Sequence, residues 1–218
     1  MLKMKFDDIY KKLLTEASSD VRHVGIFPGA FKPPHIGHYY TALDACKNND
    51  LIYIYVSNKA RALSTQNKSG GSGGDCDMDR YSNFMKNDKY TSNLLSIKPA
   101  ACARMTSASA LRAAITVKDK NTIFKNIPES VDQQTVYDIL MQSNDISSPT
   151  YGHISIDQTM EIWRLYQAGL IRESGKSDQQ IHILVSQISP VRDTYELVNE
   201  LNNDEAAGMT SVNLYVGT

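Results

Sequence analysis

The sequence is short of several things, and each shortage removes a class of protein. Its 218 residues carry a formal net charge of −1. That leaves no global field to recruit nucleic acid or an anionic membrane. Cysteine is scarce: Cys46, Cys76 and Cys102 are odd in number and lack metal-ligand spacing. They read as free thiols in a reducing compartment, not as a disulfide framework. No apolar run approaches bilayer-spanning length, and residues 1–20 carry no secretory signal. The expectation is a cytoplasmic chain with no membrane and no nucleic-acid partner. Tryptophan occurs once, at Trp163, on the apolar side of a helical pattern, where core is the preferred reading.

What remains is ordinary globular material, 41% hydrophobic and 22% charged, enough for one sizeable core. Residues 2–17 place Leu2, Phe6, Ile9, Tyr10, Leu13 and Leu14 on one face of an amphipathic helix. We expect residues 1–20 to dock on a single domain spanning 21–218. Val21–Phe27 and Leu51–Ser57 read as strands with a helix over Tyr39–Lys47 between them, a βαβ unit that implies a parallel sheet. Further strands are expected at Asn93–Lys98, Ile181–Ile188 and Ser211–Val216. Helices are expected at Asp77–Lys86, Ser107–Ile115, Asp132–Gln142, Ser155–Gly169 and Pro190–Leu201, with a turn at Phe124–Pro128. Ser155 is the N-cap expected of the longest helix. Residues 69–74 read Ser-Gly-Gly-Ser-Gly-Gly, a linker with no side chains to pack.

One segment carries most of the chemistry: Gly25-Ile26-Phe27-Pro28-Gly29-Ala30-Phe31-Lys32-Pro33-Pro34-His35-Ile36-Gly37-His38. An apolar strand runs into a Gly/Pro-rich turn and then a helix start. Strand, tight loop and helix N-terminus make a site for phosphate, because free N–H groups and the helix dipole both face the anion. The histidines add imidazole donors.

The run from Phe31 to His38 resembles the His-x-Gly-His signature of the nucleotidyltransferase superfamily, in the form found in its adenylyltransferase branch. Class I aminoacyl-tRNA synthetases share a similar motif, but this chain is far shorter and has no Lys-Met-Ser-Lys-Ser-like loop. A second segment, Arg104-Met105-Thr106-Ser107-Ala108-Ser109-Ala110-Leu111-Arg112, is similar to the superfamily's Ile-Ser-Ser-Thr-x-x-Arg motif at Ser107, Ser109 and Arg112. Thr106 departs from it, standing where the family has an apolar residue.

The resemblance implies an α/β fold: a Rossmann-like open parallel sheet of about five strands, order 3-2-1-4-5, flanked by helices. It implies transfer of a nucleotidyl group from ATP or CTP, ATP favoured, to a phosphorylated small molecule such as nicotinamide mononucleotide, with release of pyrophosphate. Mg2+ is implied, bound through the nucleotide phosphates. His35 and His38 would contact the triphosphate, with His38 nearest the α-phosphate and Lys32 neutralising charge. Arg112, Ser107 and Ser109 would hold the β- and γ-phosphates, and Phe27, Gly29, Phe31 and Gly37 would line the nucleotide. A nucleotide-binding domain without turnover is the reading from another functional class.

Weaker candidates lie at the sheet's carboxyl edge, where open α/β sheets bind ligands. Arg61 follows the second strand, Asp75 opens the segment after the linker, and Arg192 follows Ser189-Pro190 at a helix start. These are possible substrate-side residues. Asp75, Asp77 and Asp79 alternate without the further ligands of a calcium loop, so no protein-bound metal is expected. His23, His153 and His182 have no partners at ligand spacing.

Against the family pattern the segments are out of order. The strand ending at Val216-Gly217-Thr218 stops where an aspartate is due, and Asp75-Cys76-Asp77 looks like its continuation. Three blocks follow, 1–68, 75–148 and 150–218, whose family order would be first, third, second. The Gly/Ser run then reads as an engineered joint. Its r.m.s. reach, about 12–15 Å for six residues, covers the roughly 10 Å of two inter-strand spacings. Thr218 and Asp75 are expected to be spatial neighbours.

Overall fold

The computed structural model describes residues 23–63, 95–99, 107–186, 188–203 and 211–216. The expected N-terminal helix, the linker at 69–74, the helix at 77–86, Asp75 and Thr218 lie outside the described residues.

The chain is α/β, as the alternating pattern implies. Its strands are β1 (His23–Gly29), β2 (Leu51–Val56), β3 (Arg61–Ala62), β4 (Leu95–Pro99), β5 (His153–Ile154), β6 (Ile181–Val185) and β7 (Ser211–Val216). Its α-helices are α1 (Ile36–Asn48), α2 (Ala108–Thr116), α3 (Lys120–Lys125), α4 (Gln133–Met141), α5 (Ile156–Ser174) and α6 (Pro190–Asn203). Five strands form one sheet in the order β4-β7-β1-β2-β6, and every pairing in it is parallel. Gly29 therefore registers with Val56, and Val56 with Val185. The carboxyl ends of β1, β2 and β6 share one edge.

Burial on both faces explains why the strands read as continuous apolar runs. In β2, Ile52, Ile54 and Val56 join a core formed with α1 to α5, including Leu111, Ile139, Trp163 and Leu170. Tyr53 and Tyr55 face the other way and meet Leu197, Val198 and Leu201 of α6, together with Val24, Ile26, Val212 and Leu214. The period-2 alternation of a strand divides the two layers. Trp163 is fully buried, as core.

A buried amide network ties β1, β7 and the end of α1. Asn49, 3% exposed, donates to Ala45 O (2.8 Å) and to Tyr215 Oη (2.9 Å). Its own Oδ1 accepts from Asn213 Nδ2 at 2.7 Å. Gly25 makes room for it: a Cβ there would lie 2.9 Å from Asn49 Nδ2.

Four details differ from the sequence reading. The helix from Ser155 runs past Gly169 to Ser174 and ends at Gly175, φ 72°. Gly169 is interior because the helices approach closely there; a Cβ would come within 2.6 Å of Tyr39 Oη. Phe124 lies within a short helix and not in a turn, since Asp119 caps α3 through Thr122 N. β6 is an edge strand with Val185 36% exposed, not a buried one. The two-residue ladder of β3 with β5 is too short to leave a periodic signal.

Asn213→Ala leaves the Asn49 acceptor without its donor in a buried site, and should cost roughly 1–3 kcal/mol. Urea denaturation of the full chain checks this; an unchanged midpoint would show that the network carries no weight.

Candidate functional site

The site begins where β1 ends. His35 is the N-cap of α1, and its Nδ1 accepts from Gly37 N at 3.1 Å. His38, three residues on, returns the bond: its Nδ1 accepts from His35 N at 3.2 Å. This is a capping box built from two histidines in place of the usual hydroxyl and carboxamide. It starts α1 at Ile36, earlier than Tyr39, where the sequence reading put it. The rings stack, with centroids 3.6 Å apart and planes at 25°.

The cap fixes the chemistry of both rings. Each Nδ1 receives a backbone N–H and so carries no proton, which leaves the proton on Nε2. Both imidazoles are neutral Nε2–H donors. Burial keeps them so: it pushes His35 down to about 4. His38 is held well below the usual range, by burial first and by neighbouring His35 second.

The loop between strand and helix is tightly determined. Phe31 has φ 50°, a left-handed conformation that costs a bulky residue on the order of 1–2 kcal/mol. Its ring packs over Gly29, where a Cβ would come within 2.5 Å of it. Phe27, His38 and Trp163 enclose the ring edge-on, at centroid distances of 4.9, 4.9 and 5.2 Å. Ile36 N donates to Asn126 O (2.8 Å) and Ser57 N to Gly29 O (3.0 Å), joining the loop to α3 and β2.

Two cations meet this loop. Lys32 is 2% exposed and donates from Nζ to Ser57 O at 3.0 Å. Burial pushes its ammonium down to about 8, with Asp157 pulling the other way. Arg112, 8% exposed, donates from Nη1 to Lys32 O at 2.8 Å and from Nη2 to Ser109 Oγ at 2.9 Å. Its pKa is lowered by burial and by the charge of Arg61. Ser107 caps α2, accepting from Ala110 N at 3.1 Å.

The structure thus brings Gly29, Phe31, Lys32, His35, Gly37, His38, Ser109 and Arg112 into one region, with Phe27 behind the loop and Ser107 at the foot of α2. Arg61 is exposed in β3 and acts on Arg112 through its charge. Arg192 is drawn aside: its side chain pairs with Glu196 at 3.1 Å on the exposed surface of α6. Asp75 lies outside the described residues. Three contributors carried no sequence signal: the carbonyls of Ser57 and Asn126, because any residue supplies a carbonyl, and the ring of Trp163 against Phe31. Asp157, in the first turn of α5, could have been found as an acid at a helix start.

Among the described residues, no group of three or more His, Cys, Asp or Glu could hold a metal ion, and no helix is long and apolar enough to cross a membrane. The free thiol of Cys46 is buried, and burial pushes it up to about 12. No family model, curated protein or solved structure matches the chain.

The depressed histidine sets a sign for stability. Unfolded, His35 takes a proton near pH 6.5; folded, it stays neutral to about 4. Between those values the unfolded state binds more protons, so stability falls as pH drops from 6.5 toward 4 and is fully present above 6.5. His35 should account for on the order of 3 kcal/mol of that loss. His35→Asn keeps a capping side chain without the titration. Urea midpoints at pH 7.5, 5.5 and 4 should fall less steeply for this variant, and parallel profiles would rule out a neutral buried His35.

Proposed function

We propose that the chain is a nucleotidyltransferase, moving an adenylyl group from ATP to a phosphorylated small molecule such as nicotinamide mononucleotide. One observation carries this reading: the β1–α1 loop gathers two neutral imidazole donors, a buried ammonium and a guanidinium around a helix N-terminus at a sheet's carboxyl edge. Such a set suits the oxygens of a polyphosphate. It does not suit a resident divalent cation, so Mg2+ would enter with the nucleotide and supply charge neutralisation there.

The sheet order supports the reading. Taken with the blocks in the order 1–68, 150–218, 75–148, the strands β6-β2-β1-β7-β4 read 3-2-1-4-5, the order the resemblance implies. On this reading the segment order is rearranged, and 21–218 is a single catalytic domain. The compartment is the cytoplasm, as the free thiol of Cys46 suggests.

The chemistry asks little of covalent catalysis. An oxygen of the acceptor phosphate attacks the α-phosphorus, and the bond to the bridging oxygen breaks. That oxygen leaves with the electron pair as pyrophosphate. The protein's part is positioning and the stabilisation of negative charge that spreads over the phosphorus oxygens. Neutral Nε2–H donors do this without a change of protonation. The Lys32 ammonium offsets the repulsion between two anionic reactants.

Pyrophosphate release with ATP or CTP, across a panel of phosphorylated acceptors, tests the proposal. ATP with nicotinamide mononucleotide should give turnover, and silence across the whole panel would overturn it. His38→Ala should lower turnover by about 10²–10³, the usual cost of one preorganised donor. It should cost about 1 kcal/mol in stability through the lost cap, read by thermal melting. Near-normal turnover in the folded variant would remove His38 from the reaction.

A further inference from the structure

We infer that Arg112 is a positioning residue for the β1–α1 loop: its guanidinium fixes the Lys32 carbonyl and thereby sets where the Lys32 ammonium is presented. For its kinetic part the inference rests on the transferase reading; its structural part does not.

The guanidinium spans two elements. Nη2 is anchored on Ser109, one turn back on the same helix, and Nη1 reaches the loop. Both contacts involve a side chain that is 8% exposed. An arginine braced on its own helix is a rigid strut, because its planar fork is preorganised. Lys32 is consequently held at both ends. Its carbonyl is held by Arg112 and its ammonium by Ser57 O, at 3.0 Å. The residue before it, Phe31, sits at φ 50°, a conformation that persists only where the surroundings over-determine it.

An ammonium 2% exposed with a carbonyl as its hydrogen-bond acceptor is expensive to keep charged. It stays in place because the backbone that carries it has nowhere else to go. Without the strut, the loop loses its tie to α2 at Lys32, and the lysine can relax toward water. The second motif would then govern the charge that the first motif delivers. An arginine that served only to bind phosphate would leave the free loop as it is.

Competitive acylation with acetic anhydride tests this on the full chain without nucleotide, reading each lysine by mass spectrometry against exposed Lys118. Arg112→Met should raise Lys32 labelling about tenfold, the equivalent of one hydrogen bond from a charged group. Ser109→Ala, which keeps the guanidinium but removes its brace, should raise it about twofold, and Arg112→Lys should fall between wild type and Arg112→Met. In turnover assays Arg112→Met should lower kcat while KM for ATP stays within about threefold, the split expected of a group that acts through another. Wild-type labelling of Lys32 in folded Arg112→Met overturns the inference, as does a raised KM with unchanged kcat. Should Arg112→Met fail to fold by circular dichroism, Ser109→Ala and Arg112→Lys decide by the same labelling criterion. If the wild-type chain releases no pyrophosphate, the transferase reading fails alone, and the labelling still decides the role of Arg112.

Discussion

Burying the Lys32 ammonium is the constraint on which the local architecture depends. A cation at 2% exposure needs hydrogen bonds and a fixed backbone to hold it. Three elements supply them: the carbonyl of Ser57 after β2, the guanidinium of Arg112 on α2, and the start of α1 held by Asn126 O. The only carboxylate acting on Lys32 among the described residues is that of Asp157. Arg61 adds its charge near Arg112. Among the described residues, the charges of Lys32, Arg112 and Arg61 therefore outnumber that of Asp157 here. Burial strengthens the electrostatic interactions there, the repulsion between like charges included.

The same logic explains the histidine cap. Serine or threonine at His35 would satisfy the helix N-terminus equally well, so helix formation does not require imidazole there. Imidazole adds a second nitrogen facing away from the backbone, with its proton already assigned. The cap thus holds the start of α1 and fixes the tautomer of both rings with one pair of side chains. With the rings stacked at 3.6 Å, His35 adds to burial in disfavouring a charged His38, which reinforces its neutral state.

Much of the fold was legible in the sequence because the signals were local. The apolar runs of β2 and β7 and the Ser155 cap of α5 gave element type and start to within a few residues. Gly169 misled because a glycine's local signal is a stop, whereas its role here is tertiary, admitting Tyr39. The exposure of β6 was hidden for a related reason: an edge strand and a central one can share a composition, and only pairing tells them apart. In the site, the residue types were legible and their division of labour was not. Arg112 reads as a phosphate ligand by motif, yet its bonds go to a backbone carbonyl and to Ser109. Backbone acceptors have no sequence signature, so the tethers at Ser57 and Asn126 emerge only in the folded chain.

The placement of β7 has a consequence for how the chain is made. Among the described residues β4 pairs only with β7, and its first paired residue, Leu95, registers with Val212. As the polypeptide leaves the ribosome from its N-terminal end, β1 and β2 can pair early, but β4 must wait for the last described strand to emerge. Until then its ladder groups, and the outer edge of β1, are open to other chains. Contacts so distant in sequence also slow the closing step, since loop-closure entropy is lost before they form. Vectorial synthesis therefore holds this sheet incomplete for most of its length, and the interval before β7 arrives is when the nascent chain is most open to strand-edge association.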